Sequence, residues 1–413
     1  MTRRKSHAHR STEADEIKGE DSKSSLGALN AFQPSSTSRQ LPLELHQLVL
    51  NVFRDAFASQ FGPDLSSRIQ EVKQHLYNRD FQNAFGRGDL LEAYAIRWSP
   101  SRALAYTHIF CNLPVLSTII NPSVSDGGDD HQRYDDPSLE SHPIPPSLPS
   151  GSSCVKSSPT GSVVCIGAGA GAELVALGAS FNHLTKQSII RQDDIVDRPS
   201  PEGDTPGPRI NVRVVDIADW TPVISKLHSG ITTTPILCQY ASMRIKAASR
   251  PLISSACCEL QFSKHDVLNL NAVDLERTFT NTKLVTFMFT MNELYSTSMG
   301  AATKLLLSLT TLLSSGTMLL IVDSPGSYSS VKLGADAGAD GKNDRKRYPM
   351  QWLLDHTLLE RATDSKTSSS STPRPHWEKV TSSDSQWFRL PKGLKYPITL
   401  EDTRYQMHLY RRQ

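Results

Sequence analysis

Residues 163–177, VVCIGAGAGAELVAL, constrain the fold of this chain more than any other stretch. The apolar residues 163–166 predict a buried strand, and three glycines follow at alternate positions, Gly167, Gly169 and Gly171. Apolar residues at helical spacing come next. Glycines allow a ligand to lie against the backbone, and the free N–H groups of a first helical turn attract an anion. The stretch therefore predicts the first βα unit of a doubly wound α/β fold that holds a nucleotide-type ligand.

The rest of the chain supplies the other strands of such a sheet. Apolar runs separated by helical patterns are typical of a parallel sheet with both faces covered. We expect strands two to five at residues 210–216, 260–263, 284–290 and 317–322. Two closing strands are expected at the end of the chain, around residues 387–390 and at residues 405–410.

Composition and periodicity divide the chain into four parts. They are a disordered basic and polar tail at residues 1–38, a helical N-terminal module at 39–120, a Pro-, Ser-, Asp- and Gly-rich linker at 121–160, and an α/β domain at 161–413 with flexible inserts at 186–209, 327–347 and 364–373. Within the helical module, Ser99 as a cap and Pro100 at the first helical position predict a helix start.

Composition also argues against several classes of protein. The chain has no stretch of about 18 apolar residues, so we expect no membrane span. The polar N-terminus lacks the apolar core of a signal peptide. The six cysteines form no C-x-x-C pair, which predicts neither a metal site nor a disulfide framework. We therefore expect an intracellular monomer without metal, acting in the nucleus or nucleolus or in the cytoplasm.

Two ligand classes compete for the glycine-rich turn. Counted from Gly167, the spacing satisfies G-x-G-x-x-A with Ala172 last, which fits a nicotinamide or flavin dinucleotide. The two closing strands favour S-adenosylmethionine (SAM) instead, because the seven-stranded sheet of SAM-dependent methyltransferases ends with an antiparallel last strand. We therefore predict an α/β, Rossmann-like, seven-stranded methyltransferase sheet with an N-terminal helical module.

Two aspartates follow the second and third strands on the edge where ligands bind in such folds. Asp216 ends the second strand, where a carboxylate can accept hydrogen bonds from both hydroxyls of a ribose. Asp266, with Val267, is placed after the third strand to reach and bracket an adenine. The alternatives are a solvated aspartate at a strand end for Asp216 and a turn-forming aspartate for Asp266.

Several segments together point to a known family: VVCIGAGAGAEL, RVVDIADW, FSKHDVLNL, FTMNELYS and YPITLEDTRYQMHLYRR. Their combination resembles the fungal large-subunit (25S) ribosomal-RNA uridine-N3 methyltransferase family. The segments YNRDFQNAFG and YAIRWSPSRALAY are similar to the N-terminal module of that family. The resemblance implies SAM as cofactor and ribosomal RNA or a pre-ribosomal particle as partner. It also implies that the three glycines cradle the methionine end of SAM, that Asp216 holds the ribose, and that Asp266 and Val267 hold the adenine.

One position departs from the general methyltransferase pattern. An acidic residue commonly stands two positions before the first glycine, and this chain has Cys165 there. Glu173, early in the following helix, is the candidate to orient the SAM amino group in its place. The alternative is that Glu173 only complements the helix dipole.

The end of the fourth strand carries the candidate catalytic residues, Asn292, Glu293 and Tyr295. Uracil N3 becomes nucleophilic only as its proton leaves, so a neighbouring acceptor assists methyl transfer. We expect Asn292 to contact the O4/N3 edge, Glu293 to accept the proton and Tyr295 to stack on the base. The alternative is that Asn292 and Glu293 only cap the next helix.

Basic side chains close to aromatic ones suit RNA. The candidates in the helical module are Arg87, Arg97 and Arg102, with a solvated basic face as the alternative. Three other functions also remain open at this point. They are methyl transfer to a protein or a small molecule, a SAM-fold assembly factor that has lost catalysis, for which Cys165 is the main support, and a dinucleotide oxidoreductase.

Overall fold

A computed structural model describes most of the helical N-terminal part and of the α/β part. The described residues are 41–120, 160–193, 208–235, 239–240, 242–243, 249–326, 330–332, 347–361 and 376–413. The predicted tail, nearly all of the predicted linker and the insert at 364–373 lie outside them. The insert predicted at 186–209 begins later than expected, because helix continues through residue 193. In the insert at 327–347, the described residues form a short two-stranded ribbon.

The N-terminal part is helical, as the apolar periodicity predicts. Its helices are α1 (Leu43–Ala56), α2 (Leu65–Tyr77), α3 (Phe81–Ala84), α4 (Gly88–Asn112) and α5 (Pro114–Ile120). They pack against one face of the sheet, and their apolar side chains share a single core with it. The helical residues and the sheet lie in one compact unit, Arg39–Gln413.

The helix start predicted at Ser99-Pro100 is wrong. Helix α4 passes through both residues without a break. Proline has no N–H to donate, so a proline inside a helix leaves the carbonyl four residues earlier without its partner. That carbonyl belongs to Ile96, and it accepts a hydrogen bond from the Tyr396 hydroxyl over 3.2 Å. A side chain distant in sequence thus satisfies the group that Pro100 leaves open.

Seven strands form the main sheet in the order β3-β2-β1-β4-β5-β9-β8. They are β1 (Thr160–Ile166), β2 (Arg209–Asp216), β3 (Cys258–Lys264), β4 (Thr282–Met288), β5 (Met318–Asp323), β8 (Trp377–Phe388) and β9 (Thr403–Arg412). The first five run parallel, whereas β9 is antiparallel to both of its neighbours, β5 and β8. The predicted seven-stranded sheet with an antiparallel last strand is confirmed.

Helices cover both faces of this sheet. The α/β part contains α6 (Ala172–Asp193), α7 (Thr221–Thr232), α8 (Ala272–Phe279), α9 (Met291–Thr297), α10 (Met299–Leu312) and α11 (Met350–Asp355), which continues into a π-helical turn at His356–Arg361; the ribbon strands are β6 (Ser330–Lys332) and β7 (Arg347–Pro349). One core contains residues of α1, α4, α6 and α7, and the other contains residues of α10 and α11. Strands β4 and β5 are buried almost throughout, which explains their continuous apolar sequence.

Within the described residues, no single helix has the length and apolar composition needed to cross a bilayer. The bent pair Gly88–Asn112 and Pro114–Ile120 meets those two criteria only when its two helices are taken together.

Candidate cofactor site and active site

The five parallel strands end at one edge of the sheet, and the residues that follow them form the candidate site. Backbone hydrogen bonds join neighbouring ends. Gly167 N–H donates to the carbonyl of Val215 at the end of β2 over 2.8 Å, and His265 N–H donates to the carbonyl of Asp216 over 2.8 Å. Phe289 N–H donates to a carbonyl at the end of β5 over 2.7 Å. The edge therefore presents the ends of β3, β2, β1, β4 and β5 side by side.

The glycine-rich turn between β1 and α6 is closely packed by the protein itself. Gly167 and Gly171 have φ angles of 71° and 78°, which favour glycine. A Cβ on Gly169 would overlap the indole of Trp220, and one on Gly171 would overlap Leu227. Of the three glycines, Gly167 is exposed and the other two are buried. A Cβ on Gly167 would overlap Thr290, so the turn needs glycine at all three positions for its own packing, and Gly167 alone of the three is exposed.

Gly169→Ala is expected to unfold the turn locally and to abolish SAM binding. The new methyl group would meet the rigid indole of Trp220, and overpacking of a close-packed site costs about 1–3 kcal/mol. Thermal melting and calorimetric titration with SAM measure the two effects. The matched control is Gly300→Ala in α10, where a Cβ meets nothing within 4 Å. Unchanged SAM affinity in Gly169→Ala would contradict this account of the turn.

Asp216 points at the glycine-rich turn. Its Oδ2 accepts the N–H of Gly169 over 2.9 Å and its Oδ1 accepts the N–H of Ala218 over 3.1 Å. Burial raises the pKa of this carboxyl, while the hydrogen bonds from the backbone N–H groups of Gly169 and Ala218 act in the opposite direction. The carboxylate is therefore held at the junction of β1 and β2, where a ligand on the turn would meet it. Its contact with a ribose stays a prediction.

Asp266 caps the turn that follows β3. Its Oδ1 accepts the N–H of Leu268 over 3.0 Å, and its Oδ2 accepts a hydrogen bond from the Asn269 side chain over 2.7 Å. Val267 is buried in the second core. The turn-forming function is thus observed, and the contact of Asp266 and Val267 with adenine stays a prediction.

Glu173 lies beneath the turn and is 2% exposed. Its Oε1 accepts the Thr286 hydroxyl of β4 over 2.6 Å. Burial raises the pKa of Glu173 to about 8, and the Asp216 charge adds to this, while the hydrogen bond from Thr286 and the charge of Arg102 oppose it. Burial raises the pKa of the Cys165 thiol, and the Glu173 charge raises it further. The carboxylate that β1 lacks at Cys165 is therefore supplied next to it from the first turn of α6.

The predicted catalytic residues occupy different environments on α9. The backbone N–H of Asn292 donates to Asp323 Oδ2 over 2.9 Å. Glu293 is 45% exposed on its side chain and forms an ion pair with Arg79 of the helical part, with 2.5 Å between Oε2 and Nη2. Both residues therefore lie at the edge of the sheet, beside the end of β5.

Tyr295 requires a correction. Its side chain is 2% exposed and packs in the second core with residues of α10. Burial raises the pKa of its hydroxyl. A ring enclosed in this way has no open face for a base, so the expectation that Tyr295 stacks on the substrate does not hold. The helical spacing of the segment placed Tyr295 on the inner face of α9, one turn after Met291, which is also buried.

The three arginines predicted to contact RNA lie in distinct places. Arg87 pairs with Asp89 and Glu71 at 2.6 and 2.7 Å. The side chain of Arg97 is 13% exposed and pairs with Glu401. Arg102 lies in the interior of the site, where its guanidinium carbon is 4.8 Å from the centroid of the Phe289 ring. The structure brings only Arg102 to the ends of the strands.

Two residues at this edge were missed by sequence reasoning. Asp323 ends β5 as Asp216 ends β2, and it accepts the N–H groups of Asn292 and Ser324 over 2.9 and 2.7 Å. Burial raises its pKa to about 6. Phe289 follows β4 with a φ of 59°, a left-handed conformation that is strained for such a residue and recurs at functional sites. The position of Asp323 at the end of a predicted strand could have identified it from the sequence, whereas no sequence pattern indicates the conformation of Phe289.

The charges of the site distinguish between the two ligand classes. Three largely buried carboxyls, Glu173, Asp216 and Asp323, all have raised pKa values, and the guanidinium of Arg102 lies close enough to Glu173 and Asp323 to lower theirs. Such an excess of buried acid is relieved by a cation. A nucleoside with a sulfonium and an ammonium group fits this requirement, whereas the pyrophosphate of a dinucleotide would add negative charge. Among the described residues, no three metal-ligating side chains form a group that could hold a metal ion.

The strand order, the reversed β9 and the acidic pocket beside the glycine-rich turn define the class of SAM-dependent methyltransferases. A family model described as a putative SAM-dependent methyltransferase matches residues 53–411, and the chain belongs to that family. The protein is thus an enzyme of the methyltransferase class, with SAM as its cofactor.

Comparisons with individual proteins give one clear relative. The chain is 29% identical over 378 residues to the 25S rRNA (uridine(2843)-N(3))-methyltransferase of Saccharomyces cerevisiae, covering 88% of this chain and 85% of the yeast protein. Two solved structures are more distant. An O-methyltransferase family protein from Burkholderia thailandensis has 9% identity and a TM-score of 0.33, covering 88% of this chain and 72% of its own. The mitomycin 7-O-methyltransferase has 11% identity and a TM-score of 0.30, with coverages of 85% and 69%.

Proposed function

We propose that this protein transfers a methyl group from SAM to N3 of a uridine in large-subunit ribosomal RNA. The observation that carries the proposal is the similarity to the yeast 25S rRNA uridine-N3 methyltransferase over 378 residues. The matched segment is longer than the α/β part of the chain, so it includes much of the helical part as well. The shared cofactor fold alone would not require such a match.

The residues after β4 support this chemistry. When bound, SAM supplies an electrophilic methyl group on its sulfonium sulfur. The backbone N–H of Asn292 donates to Asp323 at the end of β5, and we assign the Asn292 amide to the O4/N3 edge of the uracil. Glu293 lies on the same turn of α9, and we assign it as the acceptor of the N3 proton. Because base pairing occupies N3, the uridine enters unpaired or flipped out of its helix.

Glu293→Gln is expected to lower kcat about 10²- to 10⁴-fold while SAM affinity is retained, because a general base contributes about that factor. The loss of the ion pair to Arg79 would accompany this change, so it needs its own control. Arg79→Gln breaks the same ion pair but keeps the carboxylate, and it should retain most of the turnover. Single-turnover methylation of an RNA oligonucleotide measures both variants. Unchanged turnover in Glu293→Gln, or an equal loss in both, would show that Glu293 does not accept the proton.

An RNA-contacting surface supports the same proposal. Trp387 is 51% exposed, and the guanidinium carbons of Arg389 and Arg404 lie 3.9 and 5.7 Å from its ring centroid. Arg404 faces Trp387 across the β8–β9 pair, two residues before Gln406, which pairs with Asp323 at the site. An exposed indole beside two guanidinium groups suits an unpaired base and its phosphates. Arg389 also pairs with Asp402 over 2.6 Å, as Arg87 and Arg97 pair with carboxylates elsewhere, so the exposed indole of Trp387 distinguishes this patch from theirs.

Trp387→Ala is expected to weaken RNA binding about 5- to 100-fold, since stacking on an aromatic side chain contributes about 1–3 kcal/mol per base. The affinity for SAM should not change, because Trp387 lies outside the cofactor pocket. Fluorescence anisotropy with a labelled RNA oligonucleotide measures the effect. The matched control is Trp352→Ala, which removes another partly exposed tryptophan, 46% exposed. Equal losses in the two variants would contradict a specific contact at Trp387.

Mass spectrometry of ribosomal RNA nucleosides tests the proposed function. Cells that lack this protein should lose 3-methyluridine from the large-subunit RNA. The wild-type gene should restore it, whereas an Asp216→Asn variant should not. Unchanged 3-methyluridine would refute the RNA substrate, and transfer of label from SAM to protein or metabolite fractions would favour those substrates instead. Absence of SAM binding by calorimetry would favour a non-catalytic assembly factor.

A fluorescent fusion would show whether the protein acts in the nucleus or nucleolus or in the cytoplasm.

A further inference from the structure

Arg102 of α4 places its guanidinium over Phe289, the residue that follows β4. Its Nη1 donates to the Tyr94 hydroxyl over 2.7 Å. Its guanidinium carbon lies 4.8 Å from the ring centroid of Phe289 and 5.9 Å from that of Tyr94. Within the described part of the chain, Arg102 makes no ion pair. A guanidinium has five N–H donors, so most of the donors of Arg102 have no acceptor from the described chain.

Glu173 in the first turn of α6 is the carboxyl that complements Arg102. It is buried and accepts a hydrogen bond from Thr286. Like Arg102, it makes no ion pair within the described chain, although the charge of Arg102 lowers its pKa against the effect of burial. The two opposite charges are therefore close enough to interact and yet do not touch.

Enclosed opposite charges attract each other strongly, because the interior screens them little. Here separate partners hold them apart: aromatic rings and the Tyr94 hydroxyl hold Arg102, and the Thr286 hydroxyl holds Glu173. Two such charges, fixed and unpaired, are complementary to a ligand that carries an anion and a cation on neighbouring atoms. The α-amino acid end of SAM is a zwitterion of this kind.

We propose that Arg102 and Glu173 form the receptor for the amino-acid end of SAM, with Arg102 binding the carboxylate and Glu173 binding the ammonium. The proposal rests on the SAM-binding part of the proposed function and does not depend on the RNA substrate. It moves Arg102 from the predicted RNA contacts to the cofactor site. It also gives helix α4, outside the α/β part, a direct role in binding SAM.

The surroundings of Arg102 fix its position with respect to the glycine-rich turn. Ser99, on the same helix, donates from its hydroxyl to the carbonyl of Ala170 within the turn over 2.8 Å. Phe289, under the guanidinium, follows β4 in a left-handed conformation with a φ of 59°. The ring of Tyr106 packs with its centroid 6.3 Å from that of Phe289. Helix α4, the glycine-rich turn and the end of β4 are thereby joined around one guanidinium.

The test compares ligands that differ only in the amino-acid end, by calorimetry at pH 7.5 and without RNA. The ligands are SAM, decarboxylated SAM and methylthioadenosine, which lacks the whole amino-acid end. Wild type should bind SAM about 10- to 100-fold more tightly than decarboxylated SAM, since charge-assisted hydrogen bonds to the carboxylate are lost. Equal affinity for the two would overturn the proposal on the wild-type protein alone.

Arg102→Met should lower the affinity for SAM by the same factor. It should change the affinity for decarboxylated SAM by no more than about threefold and leave the affinity for methylthioadenosine unchanged. Arg102→Lys should recover part of the preference for SAM, because it keeps the charge. The matched control, Arg97→Met on the same helix, should leave the affinities for all three ligands unchanged. Methylthioadenosine also reports whether a variant keeps a folded nucleoside site.

An equal loss of affinity for SAM and for decarboxylated SAM in Arg102→Met would overturn the proposal, since the carboxylate of SAM would then not be the partner of Arg102. Unchanged affinity for both would overturn it as well, since Arg102 would then not contact SAM. These measurements contain no RNA, so they stand whatever the nucleoside analysis shows. A failure of the ribosomal RNA assignment therefore remains distinguishable from a failure of this receptor.

Discussion

Asp216→Asn is expected to bind SAM about 100-fold more weakly than wild type, a loss of about 2.7 kcal/mol. The carboxylate accepts two backbone N–H groups, from Gly169 and Ala218, which orient it at the glycine-rich turn. An amide has only one acceptor oxygen, so its NH₂ group would face a backbone donor or the ligand. Isothermal titration calorimetry with SAM measures the loss. This result would establish that Asp216 holds the cofactor as predicted from the sequence.

The same substitution leaves a buried backbone N–H without an acceptor and is expected to cost about 1–3 kcal/mol of folding stability. Thermal melting without ligand therefore accompanies the titration. Asp219→Asn is the matched control, because Asp219 lies three residues away, is exposed and caps the start of α7. It should leave the affinity for SAM unchanged. Equal affinities of wild type and Asp216→Asn would remove the basis for a ribose contact at this residue.

The affinity for SAM is expected to rise with pH up to about pH 8, the value to which burial raises the pKa of Glu173. Below that pH the carboxyl is protonated and cannot pair with the ammonium of the ligand. The affinity should therefore increase about tenfold per pH unit at most, with release of one proton on binding. Above about pH 8 the ligand loses its own α-amino proton, and the affinity should fall again. Calorimetry in buffers of different ionisation heat measures both the affinity and the proton release.

Glu173→Gln is expected to remove the rise of SAM affinity below about pH 8 (the rising limb) and to keep the fall above that pH. An unchanged rising limb in Glu173→Gln would exclude Glu173 as the titrating group. The thermal stability of the free protein is a second measurement, and it should change with pH in the opposite direction to the affinity for SAM. The folded state retains the proton of Glu173 up to about pH 8, whereas the unfolded chain loses it near the ordinary glutamate pKa of 4.5. Because the folded state holds the extra proton in this window, its stability falls as the pH rises between these values.

The first βα unit and the positions of the strands were predictable because their signals are local. A buried strand, a glycine-rich turn and a helix follow one another within residues 163–177, and each strand of the sheet is a short apolar run. Asp216 was identified for the same reason, since the carboxyl ends of parallel strands meet at one edge. Asp323 offered the same signal at the end of β5.

Other features depended on contacts between distant residues. The helix through Pro100 continues because the Tyr396 hydroxyl bonds the carbonyl of Ile96. Tyr396 lies 300 residues from Ile96 in the chain, so local periodicity carried no trace of this contact. Tyr295 follows β4, and the helical spacing from Met291 indicated its burial, but only the packing of α9 on the second core shows that its ring is enclosed.

The amino-acid sequence by itself determined a seven-stranded α/β sheet with a glycine-rich first turn and an aspartate at the end of β2, because strand, turn and helix preferences are set by neighbours in the chain. Only the tertiary structure decided which charges enter the cleft. It brought Arg102 of α4 close to Glu173 of α6, placed Glu173 beside Cys165, and paired Glu293 with Arg79. The physical reason is that burial and electrostatic interaction depend on distance in space, and these pairs are joined by packing between elements that are far apart in the chain.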